Sequence, residues 1–337
     1  MKRMFAALLL GSTLAAHSAP ESIVSIPLPG AVRWDYVSVD PQAHRLYIAH
    51  QDRVEVVDVR SRKAVLQLAP APGVHGAAVA KELNRVFTSD GAADEVGVFD
   101  LNTGRPTGTV KVGRRPDAIV YDPSSGRVFT FNGGSNDVTA IDAKSLKVVA
   151  ASIPAGGTPE YAVSDGKGHV YFNIEDKSEL AVMDTRSLAV TRRFSLAPCE
   201  EPSGLAIDAR QRLYSVCRNK VMVISDPSTG RVIGQADIGA GADGVAWMDG
   251  KAFSANGRDG TISVVAEVAP GQFRTVETLP TARGARTVAA DSVLHELYTP
   301  TADFKPDSAQ AAQTPHRPEA IPGSFRVLVI RQPAAMR

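Results

Sequence analysis

The chain has 337 residues, of which 44% are hydrophobic and 22% are charged, a composition that is ordinary for a folded globular protein and excludes the disordered class. Its 37 basic and 36 acidic side chains give a formal net charge of +1, without the excess of Lys and Arg that neutralises nucleic-acid phosphates. Nucleic acid is therefore not expected as the main partner.

The N-terminus has the three zones of a secretory signal. Lys2 and Arg3 precede an apolar run from Met4 to Ala16, and small residues continue to Ala19. This run is too short to cross about 30 Å of hydrocarbon, and no other stretch of the sequence approaches the length needed. We therefore predict that residues 1–19 are a signal peptide, cleaved after Ala16 or Ala19. The mature protein is then periplasmic or secreted, with no membrane span.

Seven repeated units follow, each with an aromatic residue in its second strand. These aromatic residues lie 40, 42, 42, 43, 39 and 45 residues apart: Tyr47, Phe87, Phe129, Tyr171, Tyr214, Phe253 and Tyr298. Repeats of about 40 residues that contain only strands and turns indicate the blades of a β-propeller. The sequence therefore predicts an all-β fold, a single seven-bladed β-propeller over residues 20–337. Its blades are four-stranded and antiparallel, and we expect a monomer.

Within the first unit, strands are predicted at 36–39, 45–49, 54–59 and 64–68, with Gly, Pro, Asn and Asp in the turns. The last unit lacks a fourth strand, whereas residues 22–28 have the pattern of a strand that belongs to no unit. We predict that this N-terminal strand completes blade seven and closes the ring by pairing with the C-terminal strand. Residues 302–323, rich in Pro, Ala and Gln, are predicted as a flexible insertion in blade seven. This insertion is either a surface loop without function or a flap over the channel mouth.

The two cysteines, Cys199 and Cys217, fall on the same face of the fifth blade. Export favours a disulfide between them, which would fix the loop from Cys199 to Gly204. Inert buried thiols and a pair of soft metal ligands are the alternatives.

Seven polar residues are predicted around one mouth of the central channel. Each comes just before the inner strand of its blade, which places one residue from every blade on the same rim: Asp35, His75, Asp117, Glu160, Ser203, Asp243 and Arg286. Either these positions are polar because the channel contains water, or they form a ligand-binding site.

Metal binding is one use of this rim, with Asp117, Glu160 and Asp243 as candidate ligands. Their oxygens suit a hard divalent cation such as Ca²⁺, whereas His75 favours a transition metal. A second ring, three residues after each aromatic, adds His50, Asn132 and Asn256 as candidate ligand-binding residues. Both asparagines precede a glycine, so their alternative role is as turn residues with positive φ.

Several short motifs resemble those of the YncE-like proteins of the YVTN-repeat β-propeller family. They are Trp34-Asp35-Tyr36, Gly73 to Gly76, Arg115-Pro116-Asp117, Gly157 to Glu160, Cys199 to Gly204 and Arg283 to Arg286, and they span nearly the whole mature chain. The resemblance implies an exported bacterial seven-bladed propeller. Members of this family mostly lack an assigned activity, and related propellers include lactonases, haem-binding domains and interaction domains, so the fold does not give the function.

Three functions remain open at this point, and the sequence does not decide whether the protein is an enzyme. The first is a binding or interaction module that holds a small molecule, a metal or an envelope protein at its acidic mouth. The second is a lactonase-type hydrolase, in which Glu160, Asp117, Asp243 and Asn256 bind Ca²⁺ and Asp35 or His75 transfers protons. The third is contact with a cofactor such as haem through His50 and His75, without covalent attachment because no Cys-x-x-Cys-His motif is present.

Overall fold

A computed structural model describes residues 23–30, 33–306 and 319–333. In this part of the chain, 28 strands form seven antiparallel sheets of four strands each, and the helical content is limited to two single 3₁₀ turns, Lys81–Leu83 and Glu175–Lys177. None of these elements is a helix long and apolar enough to span a membrane. The predicted seven-bladed all-β propeller is confirmed. The predicted signal peptide and the middle of the predicted insertion, residues 307–318, lie outside the described residues.

Each of the first six blades is a meander of four consecutive strands. Blade 1 contains β2 (Val37–Asp40), β3 (Arg45–His50), β4 (Arg53–Asp58) and β5 (Lys63–Leu68). Blade 2 contains β6 (Val74–Ala80), β7 (Arg85–Asp90), β8 (Glu95–Asp100) and β9 (Pro106–Lys111). Blade 3 contains β10 (Pro116–Asp122), β11 (Arg127–Asn132), β12 (Asp137–Asp142) and β13 (Val148–Pro154). Blade 4 contains β14 (Pro159–Ser164), β15 (His169–Ile174), β16 (Glu179–Asp184) and β17 (Ala189–Ser195). Blade 5 contains β18 (Pro202–Ile207), β19 (Leu213–Cys217), β20 (Val221–Asp226) and β21 (Arg231–Asp237). Blade 6 contains β22 (Ala242–Met248), β23 (Lys251–Asn256), β24 (Thr261–Ala269) and β25 (Gln272–Pro280).

The seventh blade joins the two ends of the chain, as the sequence predicted. It contains β26 (Ala289–Asp291), β27 (Glu296–Thr301), β28 (Arg326–Arg331) and, as its outer strand, β1 (Val24–Pro27). Strands β1 and β28 are antiparallel, with Ile26 opposite Val327, and the Leu28 amide donates to the Phe325 carbonyl at 3.0 Å. The closing strand therefore gives the last blade the same four strands as the others.

Seven clusters of buried apolar side chains stabilise the described ring, one between each pair of neighbouring blades. The aromatic residues that revealed the repeat belong to these clusters, with exposed fractions between 0% and 6%. Burial of this apolar surface is the main driving force for folding, and here each blade supplies half of two interfaces. The structure is therefore stabilised blade against blade around the ring.

A covalent link is present in blade 5, where Cys199 and Cys217 form a disulfide with a Cα–Cα distance of 5.4 Å. Cys199 comes just before β18, and Cys217 is the last residue of β19. Both residues are buried, at 2% and 1% exposure. The predicted disulfide is confirmed, and it fixes the loop that leads to Ser203 on the rim.

Candidate functional site

The rim residues are positioned by hydrogen bonds between neighbouring blades. Five of their main-chain carbonyls accept a hydrogen bond from the preceding blade: His75 from the Tyr36 amide, Asp117 from Ser89 Oγ, Ser203 from Asn173 Nδ2, Arg286 from the Gly244 amide and Asp35 from Thr287 Oγ1. The backbone at these five rim residues is therefore held by the neighbouring blade. Such a scaffold can hold polar groups close together at little further entropic cost.

Three of the predicted rim residues meet in one cluster. His75 Nδ1 lies 2.7 Å from Asp35 Oδ2 and 3.4 Å from Asp117 Oδ1, and potential ligand atoms of all three residues lie within 4.8 Å of one another. The His75 side chain is 31% exposed, that of Asp35 is 20% exposed and that of Asp117 is 24% exposed. They are therefore rigidly placed but accessible from the mouth.

The imidazole of His75 packs against the backbone of blade 2. A Cβ atom on Gly91 would lie only 2.8 Å from His75 Cδ2 and Nε2, and 3.2 Å from the Pro116 carbonyl oxygen. Burial lowers the pKa of His75, but its hydrogen bond with Asp35 and the charge of Asp117 outweigh this effect, so the pKa lies above its usual value. Gly91 thus leaves the space that the ring occupies between the two carboxylates.

Arg286 connects the cluster to the opposite side of the rim. Its Nε donates to Asp243 Oδ2 at 2.7 Å, while its Nη2 lies 2.9 Å from the Trp34 carbonyl and 3.3 Å from Asp35 Oδ1. Burial lowers the pKa of Arg286, but the charges of Asp35 and Asp243 outweigh this effect, so the pKa lies above its usual value. Asp35 therefore faces a histidine with one oxygen and a guanidinium with the other.

Glu160 belongs to a different part of the mouth, where a tyrosine crosses from blade 1. Tyr36 Oη donates to Glu160 Oε1 at 3.2 Å, and it also bonds to the carboxyl group of Asp117. Burial, followed by the charge of Asp117, raises the pKa of Glu160 to about 9. Burial likewise raises the pKa of Asp117 to about 7, against the opposing effect of His75. Burial and the nearby charge of Asp117 therefore both favour the protonated form of Glu160.

Two tyrosines on the inner strands, each one residue after a rim residue, meet in the channel. The rings of Tyr36 and Tyr161 meet edge to face at 4.7 Å. Both residues help to line a cavity of about 30 Å³ between the inner strands of blades 1 to 4. At the position after each rim residue, the other blades carry Gly, Ala or Thr. A ligand at Asp35, His75 and Asp117 would therefore be approached from the mouth. Sequence analysis missed this pair, although two large residues among small ones were a usable signal.

The predicted metal trio of Asp117, Glu160 and Asp243 does not form one cluster among the described residues. The cluster that could hold an ion contains Asp117 with Asp35 and His75 instead. Tyr36 occupies the space between Asp117 and Glu160, and Arg286 engages Asp243. The remaining rim residue, Ser203, donates to the Ala242 carbonyl at 3.3 Å.

The second ring is buried inside the blades. His50, Asn132 and Asn256 are all 0% exposed. His50 stacks on Phe325 at 4.2 Å and lies 3.2 Å from Arg53 Nη2, a setting that leaves no room for haem. Asn132 donates to Asp137 and Thr139, and Asn256 to Thr261 and Ser263. These side chains therefore connect the end of the second strand of a blade to its third strand through hydrogen bonds.

The expectation of positive φ at the two asparagines is wrong. The left-handed residues of these turns are Asn136, with φ of 57°, and Gly260, with φ of 63°. Asn132 and Asn256 themselves remain in strand conformation as the last residues of β11 and β23. The Asn-Gly pairs therefore mark the strand end, and the four-residue turn places its left-handed residue later.

Comparison with solved structures identifies the same architecture. The chain is similar to the structure of U3-55K (TM-score 0.78, 9% identity, covering 93% of this chain and 100% of that one). It is also similar to selenomethionine-substituted virginiamycin B lyase from Staphylococcus aureus (TM-score 0.72, 12% identity, covering 92% of this chain and 99% of that one). A third similar structure is Kuenenia stuttgartiensis hydrazine synthase (TM-score 0.70, 15% identity, covering 91% of this chain and 98% of that one). No protein-family model matches the sequence, and no curated protein matches it significantly. At these identities the likeness shows the propeller fold alone.

Proposed function

We propose that the protein is an exported binding module of the YncE-like type that holds a divalent transition-metal ion at its channel mouth. The ligands are Asp35, His75 and Asp117, and the observation that carries the proposal is their convergence from three blades within 4.8 Å. Tetrahedral zinc ligands lie roughly 3.3 Å apart, a value that follows from metal–ligand distances near 2.0 Å. The distances of 2.7 and 3.4 Å from His75 Nδ1 fall on either side of this spacing.

The donor set favours zinc over the calcium ion considered from sequence. Calcium takes six to eight oxygen ligands, whereas one imidazole and two carboxylates suit zinc and related metals. Asn256, a calcium ligand in the hydrolase hypothesis, is fully buried and bonded to Ser263. The lactonase reaction therefore stays an alternative without support from a calcium cluster.

Export is part of the same proposal. The buried disulfide between Cys199 and Cys217 supports an oxidising compartment, in keeping with the signal-like N-terminus. We expect the protein recovered from the periplasm to begin after residue 16 or 19. Elemental analysis of this material, prepared without chelator, should find about one equivalent of metal per chain.

Calorimetric titration with Zn²⁺ tests the site directly. Asp117→Asn and His75→Gln should each weaken zinc binding by at least about tenfold, because each removes one of three ligands. Glu160→Gln is the matched control: it alters a rim carboxyl that does not belong to the cluster, and it should bind zinc within about threefold of the wild type. Equal zinc affinity in Asp117→Asn and the wild type would refute the site.

A further inference from the structure

The two carboxylate oxygens of Asp35 face different partners. Oδ2 lies 2.7 Å from His75 Nδ1, on the side of the metal cluster, whereas Oδ1 lies 3.3 Å from Arg286 Nη2. The backbone of Asp35 is held as well, because its amide donates to the Ala49 carbonyl at 3.1 Å and its carbonyl accepts from Thr287 Oγ1 at 2.9 Å. Asp35 therefore offers only one oxygen to an ion in the cluster.

Arg286 is itself held in place by several contacts. Its Nε donates to Asp243 Oδ2 at 2.7 Å, and its Nη2 donates to the Trp34 carbonyl at 2.9 Å. The guanidinium carbon lies 5.9 Å from the centre of the Trp34 ring, and a Cβ on Gly257 would lie only 2.6 Å from Arg286 Cβ. The guanidinium is therefore fixed where it engages one oxygen of Asp35 and one of Asp243.

These two contacts bear on the kind of ion that the mouth accepts. Calcium takes six to eight oxygen ligands at about 2.3–2.6 Å and often uses both oxygens of a carboxylate. Zinc is complete with four ligands and needs only one oxygen from each carboxylate. Arg286 therefore occupies two oxygens that would otherwise be available to calcium, and it leaves Asp35 Oδ2 to zinc.

The charge of Arg286 does not explain such a preference. Zn²⁺ and Ca²⁺ carry the same charge, so a guanidinium repels the two ions equally when they occupy the same position. Its hydrogen bonds act differently on the two ions, because they decide how many oxygens remain for coordination. The ratio of zinc affinity to calcium affinity therefore reports the contacts of Arg286 and not its charge.

We propose that Arg286 makes the mouth selective for zinc over calcium, by holding one oxygen of Asp35 and one oxygen of Asp243 away from the ion. The inference rests on the proposed metal site and assigns its specificity to a positioning residue that is not a ligand. Without this side chain, the two carboxyl groups lose their shared partner, and Asp35 can offer both oxygens. Calcium should gain more from this change than zinc.

Calorimetric titrations with Zn²⁺ and with Ca²⁺ test the inference. In Arg286→Gln, the ratio of zinc affinity to calcium affinity should fall by about tenfold or more. Arg286→Lys keeps the charge, but its single ammonium group lacks the planar fork that engages both acids, so the ratio should fall there as well.

Arg114→Gln is the matched control. It removes a positive charge from an exposed residue in the loop that leads to Asp117. Among the described residues, Arg114 forms no ion pair with Asp35 or Asp243. Its ratio of zinc affinity to calcium affinity should stay within about twofold of the wild-type value.

The outcomes separate this inference from the metal site itself. A lower ratio in both Arg286 variants, with the wild-type ratio in Arg114→Gln, supports the inference, and Arg286→Lys alone decides the question if Arg286→Gln does not fold. A wild-type ratio in either folded Arg286 variant, or a wild type that binds calcium as tightly as zinc, overturns the inference and leaves the metal site intact. Failure of zinc to bind the wild type overturns both proposals.

Discussion

Gly91 shows how a residue without a side chain can shape the site. The ring of His75 occupies the space where a Cβ on this residue would lie, 2.8 Å from two ring atoms. The backbone of Gly91 is not in the left-handed region, so alanine meets a steric conflict there and no conformational one. The ring cannot shift freely, because Asp35 holds its Nδ1 at 2.7 Å.

Gly91→Ala should therefore weaken zinc binding by about tenfold, while the free energy of unfolding changes by only about 1 kcal/mol. Gly108→Ala in the same blade is the control, because the nearest atom to its added Cβ is Leu146 Cδ1 at 3.7 Å. Zinc titration and chemical denaturation of both variants make the comparison. If the two variants bind zinc equally well, the ring of His75 is not held by this contact.

The residue that ends the second strand differs between blades. The last residue of the second strand is buried in every blade, and it is Asp90 in β7, Asn132 in β11 and Asn256 in β23. Asn132 donates to Asp137 on the next strand, but the corresponding pair in blade 2 is Asp90 and Glu95, two acids. Burial raises the pKa of Asp90 to about 7, and the charge of Glu95 contributes to the rise. Asp90 Oδ1 has no hydrogen-bond partner among the described residues.

Asp90→Asn should stabilise the protein in a pH-dependent way. An unfolded Asp90 ionises near its usual pKa of about 3.9, whereas the folded residue keeps its proton to about pH 7, so the wild type loses stability as the pH rises between these values. The variant has no such loss, and its advantage should grow from near zero at pH 4 to about 2–4 kcal/mol above pH 7.

Denaturation curves at several pH values check this prediction. Asp52→Asn, at a side chain that is 64% exposed, serves as the control and should follow the wild type throughout. An Asp90→Asn advantage that is the same at pH 4 and pH 8 would show that Asp90 is ionised in the folded protein.

For the whole molecule, the sequence predicted the ring and not the pattern of contacts across its mouth. The period of the aromatic residues determines the number of blades, and the missing strand of the last repeat determines how the ring closes. Which rim residues meet depends on side-chain direction: His75 turns to Asp35 in the preceding blade, and Tyr36 reaches Glu160 three blades away. Spacing along the chain contains no information on such rotamers, so it could not show that Asp117 lies with Asp35 and His75 and apart from Glu160 and Asp243.

The four-residue strand β1 contributes to the stability of the whole ring, because it pairs with β28 and completes the seventh blade. Ile26 is 2% exposed and packs in the cluster between blades 7 and 1, with Trp34 and Phe325. Ile26→Ala should cost about 2–5 kcal/mol through the lost apolar contacts and the cavity left behind. Ile23→Ala, three residues earlier and 39% exposed, should cost only a few tenths of a kcal/mol.

The position of β1 predicts a second effect of the same substitution. If β1 detaches, the edge of β28 loses its partner along Arg326–Arg331, and unpaired strand edges promote association between molecules. Size-exclusion chromatography in mild denaturant should therefore detect oligomers of Ile26→Ala at concentrations where Ile23→Ala is monomeric. Equal denaturation midpoints and equal elution of the two variants would mean that the ring is stable without its closing strand, with the six blade interfaces from blade 1 to blade 7 sufficient to hold it.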